Sequence, residues 1–259
     1  IADRIRAATP DRKGEHVTLV GHAHIDMNWL WTYEETLRCC YDTFRQALTF
    51  CQEFPDFCFS QSQASVYEMI ERFDPVMFEH IRRRVAEGRW ELLSGFLTEG
   101  DANLASGEGL ARALLIGQRY FRSRFGRIAH VGWLPDNFGH PAQLPQILRL
   151  GGMGSFYAHR CQPKSGAYVW EGADGSRVIT YATPTYNGVI DPSIRDVNAQ
   201  YDPKHGKVMW VYGVGDHGGG PTRRDIERAH AYNDSPGSPT IRCGTAEAFF
   251  RSMEPHAGE

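Results

Sequence analysis

The segment at residues 16–31 combines an apolar run with side chains that can bind a metal ion. It begins with β-branched residues, as strands often do, and continues into His22, His24 and Asp26. Side chains on a strand alternate between its two faces, so an extended segment at 17–26 would place these three on one face at its carboxyl end. Imidazole and carboxylate groups together suit Zn²⁺ and similar divalent ions. The alternative interpretation is a polar strand end without a ligand.

Asp136 is a second candidate and ends a strand predicted at residues 128–136. An Asx turn or a helix cap is the common use of an aspartate in a loop. A carboxylate that leaves a strand beside Pro135 and Phe138 is equally compatible with a nucleophile or a metal ligand. The residues around Asp136 leave these interpretations open.

Asp216 lies in a glycine-rich loop between a predicted strand at 207–212 and a predicted helix at 221–233. The spacing of Gly213, Gly215 and Gly218 matches the GxGxxG fingerprint of dinucleotide-binding proteins. That interpretation is disfavoured, because the fingerprint belongs to the first βαβ unit of a chain and because Asp216 would lie where the pyrophosphate binds. We interpret the loop as small residues that leave room for a bulky ligand beside an acid.

Five aromatic residues accompany these strand ends: Trp29, Trp31, Trp133, Phe138 and Tyr212. Core packing is the ordinary use of such residues. Beside acids and metal ligands, flat aromatic faces also bind the apolar faces of sugar rings.

The chain repeats a strand, a polar loop and a helix some six or seven times, which predicts an α/β fold with a parallel sheet. Two strands at 168–172 and 177–181 are predicted to form a hairpin, and the irregular stretch at 184–203 is long enough to be a functional loop. The candidate residues all fall where strands end. Ligand sites in such folds lie at the carboxyl ends of the strands.

The 259 residues suffice for one large domain, and 41% of them are hydrophobic, which is enough for a core. The net charge of −3, with both signs mixed, argues against a nucleic-acid partner. No apolar run approaches the ~20 residues of a membrane span, and the six cysteines lack metal or disulfide spacing. We therefore expect no membrane partner and a cytoplasmic location. Because Ile1 is the first residue, we expect the natural N-terminus to lie upstream.

The pattern HxHxD also occurs in two other classes of hydrolase. Amidohydrolases open with HxH, but many use a bridging lysine on a later strand, and Lys207 lies at the wrong end of its predicted strand. Metallo-β-lactamase-like hydrolases use HxHxDH, whereas Met27 follows Asp26 here. Both classes remain alternatives.

Together, the motifs resemble the N-terminal catalytic domain of glycoside hydrolase family 38, the zinc-dependent retaining α-mannosidases. The matches follow the family's order from residue 16 to about residue 250. They are Gly21-His22-Ala23-His24-Ile25-Asp26 with Trp29-Leu30-Trp31 and Glu35-Thr36, Ser62-Gln63 with Val66-Tyr67, Gly88-Arg89-Trp90-Glu91, Asn103-Leu104 with Ser106-Gly107-Glu108, Trp133-Leu134-Pro135-Asp136 with Phe138-Gly139, Leu144-Pro145-Gln146-Ile147, Trp170 with Gly172 and Asp174-Gly175-Ser176, and Gly213, Gly215-Asp216 with Gly218-Gly219-Gly220-Pro221-Thr222.

This resemblance implies a sevenfold β/α barrel of the glycoside hydrolase and deacetylase type, with residues 1–259 as one catalytic domain. It implies one Zn²⁺ ion, for which His24, Asp26 and Asp136 match ligands. The substrate class would be α-mannosides or oligosaccharides, hydrolysed through a glycosyl-enzyme intermediate. A barrel that binds carbohydrate without turnover is the non-enzymatic alternative.

The resemblance also implies catalytic roles. Asp136 matches the nucleophile and Asp216 matches the general acid/base, a pair that a retaining glycosidase holds ~5–5.5 Å apart. Trp29 is expected to stack on the sugar. Arg160 is expected to contact the nucleophile or the ligand.

Two departures from the family pattern bear on the site. The family's fourth zinc ligand is a histidine beyond the barrel, and we expect that region and the β-rich domains after it to lie outside this chain. His217, His140 and His22 are the local candidates for this ligand. In addition, residues 94–101 depart from the usual Met-Trp-x-Glu-Pro-Asp form, so substrate contacts there are expected to differ.

Overall fold

The computed structural model describes residues 12–201, 206–215 and 218–253. Within them the chain has the predicted α/β fold. The strands are β1 (His16–His22), β2 (Phe59–Gln61), β3 (Trp90–Leu92), β4 (Val131–Leu134), β5 (Ser155–Ala158), β6 (Gly166–Glu171), β7 (Arg177–Ala182), β8 (Lys207–Tyr212) and β9 (Thr240–Cys243). The α-helices are α1 (Tyr33–Glu53), α2 (Ala64–Phe73), α3 (Pro75–Ala86), α4 (Gly107–Phe125), α5 (Leu144–Leu150), α6 (Val197–Tyr201), α7 (Arg223–Asn233) and α8 (Ala246–Met253). A 3₁₀ helix spans Pro192–Arg195.

The first sheet is built around β1, and all of its strands are parallel. Strand β8 pairs with β1 on one side over six residue pairs, from His16 with Lys207 to Gly21 with Tyr212. On the other side, β9 pairs with the first part of β1 and β2 pairs with its end. Because β1 has neighbours on both sides and is covered on both faces, its continuous apolar run matches its central position.

The second sheet has the order β4-β5-β7-β6. Strands β4, β5 and β7 are parallel, and β6 pairs antiparallel with β7. The predicted hairpin is therefore confirmed. The stretch at 184–203, predicted as irregular, contains the 3₁₀ helix and α6.

The predicted closed sevenfold barrel is not what the described residues form, because their strands divide into two sheets that do not close on each other. After β3, Ser94 and Gly95 both adopt a φ of 70°, which turns the backbone out of the extended conformation. A backbone hydrogen bond of 2.9 Å from Ser94 N to Val131 O joins the two sheets at this turn. At the other junction, the side-chain hydroxyl of Tyr181 in β7 accepts a hydrogen bond from the backbone N of Met209 in β8.

An aromatic core fills the space between the two sheets and supports their carboxyl ends. Trp133 of β4 stacks on Tyr157 of β5, with ring centroids 3.9 Å apart. Both are fully buried in a cluster that contains Val20, Val131, Tyr181, Met209 and Val211 from the strands, Leu93 directly after β3, and Phe249, Phe250 and Met253 from α8. These large, close-packed apolar groups thus hold the carboxyl ends of the strands in place.

Helix α1 follows the loop that leaves β1. It begins after Thr32, whose side chain accepts from Glu35 N while the Glu35 side chain accepts from Thr32 N, which is a capping box. The helix was predicted at 32–52 and spans Tyr33–Glu53. This defined start limits how far the β1 loop can move.

No helix within the described part of the chain is long and apolar enough to span a bilayer.

Glu91 in β3 is a buried carboxylate that joins three elements. Its oxygens accept hydrogen bonds from Ser60 Oγ in β2 (2.6 Å), Ala246 N (2.8 Å) and Glu247 N (2.7 Å) at the start of α8. Burial raises the pKa of Glu91 to about 7, because the loss of solvent penalises the charged form more than these hydrogen bonds favour it.

The contribution of Glu91 to stability is expected to fall as the pH rises from its ordinary pKa of 4.5 to about 7. In this window the folded chain retains the proton that the unfolded chain has released. Since the folded state binds more protons, the free energy of unfolding decreases with pH, by up to about 3 kcal/mol for this residue. Urea unfolding between these pH values, compared with Glu91→Gln, measures the change.

Because Glu91→Gln cannot titrate, its stability relative to the unmodified chain should improve as the pH rises through this window. Glu87→Gln is the matched control, since Glu87 is exposed and pairs with Arg84 on the surface. A difference between Glu91→Gln and the unmodified chain that stays constant across the window would contradict the prediction.

Candidate active site

A cavity of about 630 Å³ opens where the strands end. Its walls come from the loops after β1, β3, β4, β5, β7 and β8. They are formed by His24, Asp26, Trp29, Glu99, Gly100, Asp101, Asp136, Asn137, Phe138, Arg160, Tyr186 and Gly215. The predicted convergence at the carboxyl ends of the strands is therefore present.

Three of the predicted ligands lie together in this cavity. The side chains of His24, Asp26 and Asp136 offer one nitrogen and two oxygen atoms within 4.8 Å of one another. His24 Nε2 lies 3.1 Å from Asp26 Oδ1 and 3.7 Å from Asp136 Oδ2. One imidazole and two carboxylates that converge in this way form a donor set that suits a divalent ion such as Zn²⁺.

Electrostatics at His24 also favour a cation. Burial alone would lower the pKa of this imidazole, but the carboxylates of Glu99 and Asp26 outweigh burial and raise it to about 10. The site thus holds more negative charge than its own side chains balance. A proton on His24 or a bound divalent ion would supply the missing positive charge.

Asp136 is held so that its two oxygen atoms face different groups. Oδ1 accepts a hydrogen bond from Arg160 Nε and another, of 3.0 Å, from the Tyr186 hydroxyl. Oδ2 faces His24. Hydrogen bonding to Asp136 raises the pKa of Arg160, which keeps the guanidinium charged. Arg160 and Tyr186 therefore offset the negative charge at Oδ1, whereas Oδ2 faces the His24 side of the pocket.

Arg160 also contacts an aromatic residue of the pocket. Its guanidinium lies 4.6 Å from the ring centroid of Phe138, a cation–π distance that helps to fix both side chains. The predicted contact of Arg160 with Asp136 is thus observed, and Phe138 is 66% exposed beside it.

Trp29, the predicted sugar platform, lines the pocket and is 51% exposed. Its ring packs edge-on against Trp31, with centroids 5.4 Å apart. Trp31 Nε1 donates to the backbone oxygen of Asp26 over 3.1 Å, so this pair is tied to a metal-ligand candidate. Trp133 and Tyr212, predicted to lie near the site, are buried instead in the core.

Two of the candidate fourth ligands lie outside the cluster. His22 is buried, with Nδ1 2.9 Å from Ser60 O and Nε2 accepting from Trp133 Nε1, and burial lowers its pKa to about 3. His140 packs against Phe156 and Trp170. His22 is therefore structural. The single extended face considered for His22, His24 and Asp26 does not form, because β1 ends at His22. Asp216 and His217 lie outside the described residues.

Three residues of the site were missed by sequence reasoning: Gln63, Glu99 and Tyr186. Gln63 Oε1 accepts from Glu99 N (3.0 Å) while its Nε2 donates to Ile25 O (2.7 Å), so it links the β3 loop to the β1 loop. Its φ of 65° is unusual for a residue with a side chain. Gln63 lies in a segment that matches the family pattern, which was the available signal, whereas Glu99 lies in residues 94–101, which depart from that pattern.

Comparison with known proteins shows the family. The sequence model of the N-terminal domain of glycosyl hydrolases family 38 matches residues 15–259. This chain belongs to glycosyl hydrolase family 38. Among its relatives are alpha-mannosidase G of Dictyostelium discoideum, 38% identical over 93% of this chain, and human alpha-mannosidase 2C1, 32% identical over 90% of it.

The family 38 chain described here spans about a quarter of the length of these relatives, 23% and 24% respectively. Among solved structures, an alpha-mannosidase from Enterococcus faecalis V583 superposes with a TM-score of 0.79 at 20% identity. That superposition covers 94% of this chain and 30% of the bacterial one. At this level of identity the likeness shows the shared fold.

Proposed function

We propose that the pocket hydrolyses α-mannosides with retention of configuration and depends on Zn²⁺. The observation that carries the proposal is the convergence of His24, Asp26 and Asp136 in the cavity at the strand ends of a family 38 domain. Its relatives are named alpha-mannosidases, which supports the substrate class.

His24, Asp26 and Asp136 would hold the ion. When bound, zinc supplies positive charge that orients sugar hydroxyls and offsets the charge of the carboxylates. The fourth protein ligand is not among the histidines that the structure describes near the cluster. The family pattern indicates a histidine that follows the barrel for this role, and we propose His217 as the local alternative.

In the first step, a carboxylate oxygen of Asp136 attacks the anomeric carbon, and the bond from that carbon to the leaving oxygen breaks. Asp216 gives its proton to the departing oxygen. In the second step, water attacks the same carbon, Asp216 takes a proton from that water, and the ester bond to Asp136 breaks. Two inversions at one carbon give retention. Arg160 and Tyr186 orient Asp136 through Oδ1, and Trp29 offers its exposed ring to the sugar.

An aryl α-mannoside assay of the zinc-loaded chain tests this proposal. We expect turnover with the α-mannoside and none with the matching β-mannoside, and NMR should show α-mannose as the first product. Hydrolysis of an amide or a lactam instead would contradict the proposal and favour the other hydrolase classes. Mannoside binding without turnover would indicate a carbohydrate-binding domain.

Substitution of Asp216 should affect substrates according to their leaving group. With Asp216→Asn, an unactivated phenyl α-mannoside should lose roughly 10²–10⁴-fold in kcat/KM, since its leaving oxygen needs a proton. A dinitrophenyl α-mannoside, whose leaving group departs as an anion, should lose far less. The comparison of the two substrates on one variant is its own control for folding. An equal loss on both would rule out the acid role.

We propose a cytoplasmic location, as expected from the sequence, because the six cysteines have no spacing typical of a disulfide framework.

A further inference from the structure

One carboxylate oxygen of Glu99, Oε2, has no role in the proposed mechanism. Its side chain is 4% exposed, and Oε2 makes no hydrogen bond within the usual distance. The nearest charged partner is His24 Nδ1, 3.5 Å away, which is equally buried and also lacks a hydrogen bond. Two buried polar atoms that face each other in this way are costly unless they interact.

The rest of Glu99 is fixed, so Oε2 cannot turn away. Its other oxygen, Oε1, accepts from Asp136 N over 3.0 Å and from Asn137 Nδ2 over 3.3 Å. Its backbone N donates to Gln63. The carboxylate therefore connects the β3 loop to the β4 loop while it presents one oxygen to His24.

Glu99 meets the ring nitrogen of His24 that is remote from the cluster. Nε2 faces Asp26 and Asp136, whereas Nδ1 faces Glu99. A neutral imidazole that binds a metal through Nε2 must carry its proton on Nδ1. A carboxylate only accepts hydrogen bonds, so it selects this tautomer.

We propose that Glu99 is a positioning residue that accepts a hydrogen bond from Nδ1–H of His24 and thereby orients Nε2 toward the metal. The inference rests on the proposed zinc site. Glu99 acts through His24 and is not itself a ligand, since its oxygens lie outside the group of converging donor atoms.

Glu99→Gln is the decisive variant because it keeps the shape of the side chain. Its amide oxygen can still accept from Asp136 N, which leaves the NH₂ group to face His24. That group donates, so Nδ1 must accept and the proton moves to Nε2, where it blocks ligation. We expect the affinity for Zn²⁺, measured by calorimetry, to fall roughly 10–100-fold.

Glu99→Asp separates the effect of the hydrogen bond from the effect of the charge. It keeps the negative charge, but its side chain is too short to keep the hydrogen bond to His24. The affinity of this variant for Zn²⁺ should therefore fall as well. Glu108→Gln is the matched control: it makes the same change from carboxylate to amide on the surface, outside the pocket, where Glu108 pairs with Arg112. Its affinity should stay within about threefold, as expected for a solvent-screened charge.

In the zinc-loaded protein labelled with ¹⁵N-histidine, the His24 Nδ1–H should give a slowly exchanging proton signal, assigned by its loss in His24→Gln. Glu99→Gln should lose this signal. If the unmodified chain binds no zinc, the proposed metal site fails and this inference fails with it. If the chain binds zinc but Glu99→Gln retains both the affinity and the signal, only the role of Glu99 is overturned.

Discussion

Asp136→Asn should lower kcat for an aryl α-mannoside by roughly 10⁴-fold or more. The amide is isosteric with the carboxylate, and its oxygen can still accept hydrogen bonds from Arg160 and Tyr186, so the side chain should keep its place. The variant loses the anionic oxygen of the proposed nucleophile and changes one of the three converging donors. Steady-state kinetics with the zinc-loaded chain measures the effect.

Asp26→Asn separates the two roles of Asp136, because Asp26 is a proposed ligand but not the nucleophile. Added zinc should restore much of the activity of Asp26→Asn and little of the activity of Asp136→Asn. Asp174→Asn, in the exposed turn between β6 and β7, should behave as the unmodified chain. If Asp136→Asn retains more than about one hundredth of the activity, a nucleophilic role fails.

Removal of the metal is expected to abolish turnover completely. Without the ion, the carboxylates of Asp26, Asp136 and Glu99 are balanced only by Arg160 and a proton on His24, and a mannoside loses the group proposed to orient it. Dialysis against a chelator should reduce activity to background, and one equivalent of Zn²⁺ should restore it. Elemental analysis before and after dialysis gives the stoichiometry.

His24→Ala tests the zinc requirement by removing a proposed ligand instead of the metal. It removes the only nitrogen donor of the converging group, so the affinity for zinc should fall by more than the roughly 10–100-fold typical of residues that only support a ligand. His230→Ala is the control, since this histidine pairs with Asp56 on the surface. Undiminished activity after complete removal of the metal would refute the zinc requirement.

The ligand candidates could be predicted because each follows an apolar strand. Strands such as β1 and β4 are readable from their β-branched and aromatic residues, and a parallel arrangement brings their carboxyl ends to one side. His24, Asp26 and Asp136 were therefore identified as candidates from the local sequence, and the resemblance to family 38 added Arg160. In the structure, the end of β1 at His22 separates this core residue from Asp26, which remains a candidate ligand.

Glu99, Gln63 and Tyr186 were harder, because their roles depend on tertiary contacts. Glu99 and Tyr186 lie in loops that have no periodicity to read. Gln63 matters through a single amide that joins two loops distant in sequence. Nothing in the residue types indicates such a pairing before the loops are positioned.

The open arrangement of the strands could also not be predicted from the sequence. At one junction of the sheets Ser94 has a left-handed backbone, which a residue with a side chain rarely adopts, and at the other the Tyr181 hydroxyl accepts a hydrogen bond from β8. Neither residue type signals an interruption of a sheet.

This division into two sheets has a mechanical consequence. His24 and Asp26 follow a strand of the first sheet, and Asp136 follows a strand of the second. An ion that all three residues hold would act as a cross-link between the two sheets, much as a disulfide joins two segments. Retention of the ion and rigidity of the framework would then be thermodynamically coupled. Substitutions that weaken the contact between the two sheets, even far from the pocket, would then lower the affinity for the metal.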